Sequence, residues 1–160
     1  MTGADTGSRR ILLLDFPLAL MDRARQHRDA LLREFAFIIV NTDNESSVPA
    51  RLLEIARHSD EHYADLNPES ELLCDEAIAR GETSLDLELV VPPDFEFAVL
   101  SAVPVLLEVE EYCRRGDMLT LVPADDLRQF WAWYLMEFVR QMHGEPPIAW
   151  HAFVGANEPS

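Results

Sequence analysis

Lysine is missing from this chain: its thirteen basic residues are all arginine. That excludes a Schiff-base lysine and the phosphate-gripping lysine of a P-loop, and it is the residue usage of a GC-rich coding sequence. Positive charge of any kind is scarce. Against 29 Asp and Glu, the 13 arginines leave a formal net charge of −16. A nucleic-acid duplex must exchange its counterions for Lys and Arg, and an anionic membrane surface attracts the same residues, so neither is expected as a partner. The surplus acid either keeps the protein soluble or forms a face for a basic partner. Glycine occurs six times and always alone, which leaves no GxGxxG, no Walker A loop and no Gly-x-Ser-x-Gly elbow. Cys74 and Cys113 are the only cysteines and sit in no CxxC or Cys/His pattern. They read as buried thiols in a cytoplasmic setting. No apolar run approaches the roughly 20 residues that span a bilayer. Arg9 and Arg10 precede only Ile11–Leu14 before Asp15 interrupts, so no signal peptide is expected.

What is present is an ordinary globular balance, 48 % hydrophobic and 26 % charged over 160 residues, which predicts one domain. We place it at residues 11–150, between a disordered N-terminus (1–10) and a flexible C-terminal tail (151–160). The richest apolar helix candidate is Asp125 to His143. Leu127, Phe130, Tyr134, Phe138 and Met142 recur at spacings of three and four and make one stripe, which Trp131, Leu135 and Val139 widen. Asp125 or Asp126 can cap its start, and Gly144 with Pro146 and Pro147 ends it. The other elements are expected to pack on this helix.

Further helices are predicted from about Leu18 to Val40, from Ser47 to Asn67, from Pro68 to Arg80 and from about Asp94 to Arg115. The last carries Pro104 in its interior, which costs about 3 kcal/mol in a plain helix and predicts a kink or a division in two. Short strands are predicted at Ile11–Leu14, Ser84–Val91 and Met118–Val122. Each precedes a proline and then a helix. The expected fold is α+β and predominantly helical: four to five helices on a small sheet of three short strands, with Pro146–Trp150 extended and Trp150 folded back on the core.

Chemistry-bearing constellations are few. His58 and His62 lie four apart on one helix face, a geometry that can hold a metal, but Ser59 stands where a His-Glu-x-x-His motif has its glutamate. No third ligand stands at a supporting spacing. They read as surface histidines, and His27 as a half-buried one. Asp60, Glu61 and Asp65, and Glu108, Glu110 and Glu111, read as solvated carboxylates and not as an acid–base pair, which needs a pocket that separates the two pKa values. No catalytic residue, metal or cofactor is expected. One feature stands apart. Trp133 falls off the Phe130/Tyr134/Phe138 stripe and shares its side with Asp126, Gln129, Glu137 and Arg140. An off-stripe tryptophan beside an arginine is the composition of an interface anchor. Arg114 and Arg115, closing the preceding helix, could hold a partner's carboxylate or simply complement the helix dipole.

Four segments carry a resemblance: Leu13–Leu20, Leu31–Phe35, Glu111–Leu121 and Trp133–Gln141. Together they resemble a family of small actinobacterial proteins that travel with the ATP-binding anti-sigma kinases, STAS antagonists and metal-dependent serine phosphatases of partner-switching systems. The similarity spans about residues 11–150 and rests on packing-type residues, so it marks kinship and carries no catalytic residue. The chain has neither the Asn-box and glycine-rich lid of the kinases nor the Asp-Ser phosphoacceptor of the STAS proteins. The resemblance therefore implies a companion of those regulators.

The expectation is a cytoplasmic regulatory module that binds a protein partner, in sigma-factor or stress signalling, through Trp133, Arg140, Arg114 and Arg115. Two alternatives stand beside it. One is a ligand sensor or enzyme with a pocket between helices and sheet, using His27, His58 or His62. The other is a structural homodimer built on Trp133 and the edge strands.

Overall fold

The computed structural model describes residues 7–42, 54, 68–116 and 122–158. Two strands form its sheet. Strand β1 (Arg9–Pro17) runs antiparallel to β2 (Ser84–Val91), with Ile11 opposite Leu89 and Leu13 opposite Leu87. Side chains alternate across a strand, so Ile11 and Leu13 on β1 and Leu87, Leu89 and Val91 on β2 all face inward and are buried. Arg9 and Arg10, which the sequence assigns to a disordered terminus, instead open β1, and Arg10 pairs with Glu88 across the strands at 3.0 Å.

The register shifts between Leu13 and Phe16, where β1 carries one residue more than its partner. Asp15 takes up that bulge with φ of +58°, the left-handed region that side chains other than glycine rarely adopt. The shift brings Phe16 inward, one residue out of step with simple alternation from Ile11. Asp15 is held on three sides. Its N–H donates to Asp86 Oδ1 at 2.8 Å, and its Oδ2 accepts from His151 N–H at 3.1 Å and lies 2.8 Å from His151 Nδ1. A strain on the order of 1 kcal/mol or more at such a residue persists because its surroundings fix it.

Helices follow: α1 (Leu18–Thr42), α2 (Pro68–Ala79), α3 (Phe95–Arg114), α4 (Asp125–Met142) and α5 (Trp150–Asn157). All but α5 lie within two or three residues of the ranges that periodicity predicts. Gly81 and Gly144 end α2 and α4 with positive φ. After α4, Gly144 N–H reaches Gln141 O and Glu145 N–H reaches Arg140 O, the paired bonds of a Schellman turn. The N-cap position of α4 falls on Ala124, which offers no side-chain bond. Asp126, inside the first turn, accepts the N–H of Leu127 at 2.8 Å and also meets Arg23 of α1. Helix α3 continues through Pro104 as one helix. Two expected elements lie outside the described residues: the helix from Ser47 to Asn67 apart from Glu54, with its His58 and His62, and the strand from Met118 apart from Val122. The described sheet thus has two strands where the sequence predicts three.

The main core lies between the sheet and α4. Ile11, Leu13, Phe16, Leu87, Leu89 and Val91 meet Leu127, Phe130, Trp133 and Phe138, with Leu18, Met21, Ala24, Cys74, Ala77 and Val99 closing the sides. A smaller cluster joins Phe35 of α1 to Val109 and Cys113 of α3. Helix α4 touches β1, α1, α3 and α5, so it is the common neighbour that its composition predicts. Aromatic rings account for much of this: Phe130 is within 6.2 Å, centroid to centroid, of Phe16, Trp131, Trp133, Tyr134 and Trp150.

Ion pairs tie the helices together at the surface. Arg23 of α1 grips Asp126 of α4 with two bonds of 2.6 and 3.0 Å. That bidentate contact holds the Asp126 carboxyl below the usual carboxylate range. For Asp15, burial pushes upward, but hydrogen bonds from Ser84 and His151 and the charge of His151 outweigh it, so its pKa is also depressed. A carboxyl with a folded-state pKa below its unfolded value of about 3.9 stabilises the fold above that value and loses the contribution as pH falls through the depressed one. The urea midpoint is therefore expected to drop as pH falls from about 5 to about 3. The drop is expected to be smaller in the Asp15→Asn/Asp126→Asn double variant, measured by circular dichroism. Equal drops in both proteins would assign the acid sensitivity to other carboxylates.

Candidate functional site

The residues singled out from sequence divide into two groups, and the structure gives each an internal task. Trp133 is fully buried, not an exposed anchor. Its indole Nε1–H donates to the carbonyl of Ile148 at 2.8 Å, and its ring packs on Trp150 with centroids 5.5 Å apart. The stripe drawn from sequence covered only part of the buried arc of α4. Residues 145–153 return across the helix and cover the flank that carries Trp133, Glu137 and Arg140. The expected flexible tail is α5, held by half-buried Trp150 and Phe153 and by the contact of His151 with Asp15.

Arg140 is likewise an inward-turned group. Its Nη1 lies 2.7 Å from Glu137 Oε1, its Nε 2.9 Å from Glu145 Oε2, and its Nη2 donates to the carbonyl of Pro146 at 3.2 Å. Glu137 is the one buried charged residue among those described. Its second oxygen accepts from Gln141 Nε2 at 2.8 Å and from the N–H of Ile148 at 3.0 Å. Gln141 in turn mimics a strand neighbour: it accepts from Leu12 N–H and donates to Leu12 O, both at 2.8 Å. The face proposed for a partner is therefore the seat of the chain's own C-terminal return.

Arg114 and Arg115 close α3. Arg114 holds Glu110 and Glu111 at 2.7 and 2.8 Å, four and three residues back on its own helix, and Arg115 lies 3.9 Å from Glu111. Glu110 also receives Arg128 of α4 at 3.0 Å. Arg114 is held by Glu110 and Glu111, whereas Trp133 is held by Ile148 and Arg140 by Glu137, Glu145 and Pro146.

Among the described residues no group of three or more His, Cys, Asp or Glu is placed to hold a metal ion. Burial pushes the thiols of Cys74 and Cys113 up, which disfavours the nucleophilic thiolate. Burial lowers the pKa of His27 and pushes the Tyr134 phenol up to about 12. No described helix is long and apolar enough to cross a membrane.

What the structure does leave open is one side of α3. Phe95, Val99, Val109 and Cys113 turn toward the two clusters. On the opposite side stand Phe97 (77 % exposed), Leu100 (53 %) and Leu107 (60 %), with Pro104 between them. Spacings of three, four and three put these four residues on one ridge. Glu96 is the only charged residue between Phe95 and Leu107, and it is drawn aside by His143 at 2.6 Å. A helix that is apolar all round is ordinarily buried all round. The sequence carried the signal: two apolar stripes interleave from Phe95 to Leu107. The proline there drew attention to a kink instead. Comparison with protein-family models, curated proteins and solved structures found no match.

Truncating Trp133 tests its core assignment. Trp133→Ala is expected to cost about 3–5 kcal/mol in urea unfolding. Met136→Ala, on the exposed side of the same helix, is expected to cost under about 1 kcal/mol. Equal effects would return Trp133 to the surface.

Proposed function

We propose that this protein is a cytoplasmic regulatory module that works by docking another protein, a companion of the kinases, antagonists and phosphatases of a partner-switching system. The single observation that carries a docking role is the outward ridge of α3, Phe97–Leu100–Pro104–Leu107, an apolar surface on a helix whose other side already serves the core. Exposed, contiguous apolar side chains of this kind mark interaction sites. The resemblance along Leu13–Leu20, Glu111–Leu121 and Trp133–Gln141 supplies the class of partner. Docking through α3 replaces docking through Trp133 and Arg140, which are occupied by the C-terminal return.

The test is direct binding. Purified anti-sigma kinase, STAS antagonist and serine phosphatase from the same genome are titrated with the full chain by calorimetry. One of them is expected to bind with a Kd of about 1 µM or tighter, and Phe97→Ser/Leu107→Ser is expected to weaken that binding at least about tenfold without changing the circular dichroism spectrum. Absence of binding to all three would remove the partner-switching role.

A further inference from the structure

Helix α4 reads main chain with its side chains, and it does so twice. Gln141 holds both polar groups of Leu12 on β1. Trp133 and Glu137 together do the same for Ile148: the indole N–H donates to its carbonyl at 2.8 Å, and Glu137 Oε2 accepts its N–H at 3.0 Å. Arg140 Nη2 reaches the carbonyl of Pro146, two residues earlier, at 3.2 Å. A spacing of two is that of an extended chain presenting one edge. Ala149, with φ of −64° and ψ of 148°, continues it in the polyproline region. Two side chains of the segment are fixed as well. Glu145 meets Arg140 at 2.9 Å, and the Trp150 ring lies against Trp133 and Phe130 with centroids 5.5 and 6.1 Å away. The segment in this seat is extended and reads Glu-Pro-Pro-Ile-Ala-Trp from Glu145 to Trp150.

Seat and segment differ in depth. Phe130, Trp133, Glu137 and Phe138 are each at most 3 % exposed, whereas no residue from His143 to Glu158 is buried. The seat is part of the core, and the return is a single layer laid over it. Segments with few buried side chains open at a lower free energy than the core they cover. Opening frees the Trp133 N–H and one bond of Glu137. Any extended peptide carries the C=O and N–H that fill both.

From this the geometry points to a peptide-binding site distinct from the α3 ridge. The Trp133–Glu137–Arg140 flank of α4 takes an extended, proline-containing peptide of another protein, with an acidic residue before the prolines and a tryptophan after them, in place of the chain's own 145–150. This second site opens only as the return lifts. A second copy is a poor source of the peptide. Its segment is identical, and it competes with a tethered one at an effective concentration on the order of millimolar. Two copies that each carry −16 also repel. The return therefore sets the affinity that a partner's peptide must exceed.

A fluorescein-labelled peptide with the sequence of residues 144–153 tests this by polarisation against the full chain. Trp150→Ala removes the ring that anchors the return and leaves Trp133, Glu137 and Arg140 in place. That variant is expected to bind the peptide at least about tenfold tighter than the unaltered chain does. A peptide N-methylated at its isoleucine lacks the N–H that Glu137 accepts, and is expected to bind the variant at least about tenfold more weakly. No binding to a Trp150→Ala chain with an unchanged circular dichroism spectrum, or equal binding of the methylated peptide, would overturn the site. Hydrogen exchange of the unaltered chain gives a reading that needs no variant. Amides of residues 148–157 are expected to exchange at least about tenfold faster than those of 130–141. Equal rates would mean that the return opens only with the whole fold, and would overturn the exchange of one segment for another. A chain that sediments as a dimer and becomes monomeric in Trp150→Ala would assign the seat to a second copy's segment and overturn the foreign peptide.

Discussion

A carboxylate taken out of water must be given back its hydrogen bonds, and the way Glu137 meets that demand shapes this molecule. Its two oxygens take Arg140, Gln141 and the backbone N–H of Ile148. Each of those groups then holds something else. Arg140 fixes Glu145 and the carbonyl of Pro146, and Gln141 fixes both polar groups of Leu12. Trp133, one turn earlier, completes the seat by capturing the carbonyl of Ile148. Among the described residues no buried side-chain nitrogen or oxygen lacks a partner. An unpaired buried charge costs several kcal/mol, so such a network stabilises only when every member is present. One helical face thereby fastens the first strand and the last segment of the chain to α4.

This explains why Trp133 and Arg140, with Glu137 beside them, looked like a binding surface. Tryptophan, arginine and glutamate on one helix flank are the residue types of an interface, and they do form one. Its second side is supplied in cis by residues 145–153. Nothing local in the sequence of α4 distinguishes a partner in trans from a return of the same chain. What distinguishes them is whether Ile148 to Phe153 folds back, and those residues carry little amphipathic signal of their own.

Legibility followed the range of the interaction that decides each feature. Helices α1 to α4 and strand β2 were legible because their periodicity and stop signals are local: Gly81 and Gly144 end helices as predicted, and Leu87, Leu89 and Val91 alternate inward as predicted. Helix α5 was not, because its ordering depends on Trp150 meeting Trp133 and on His151 meeting Asp15, a contact between residues far apart in the chain. The bulge at Asp15 was invisible too, since an aspartate in the left-handed region is chosen by the neighbours that bind it. The outward ridge of α3 was written at helical spacing, but its exposure is a property of the assembled fold, and only the fold shows which of two apolar stripes the core uses.

The bond between Leu12 and Gln141 has a consequence in time. The amide that satisfies the backbone of strand β1 lies 129 positions later in the chain. At cellular elongation speeds of about 5–20 residues per second, the strand waits roughly 6–26 s for that partner. Until then Ile11, Leu13 and Phe16 have no α4 to cover them. For that interval the nascent chain carries an apolar strand that its later helix has yet to cover.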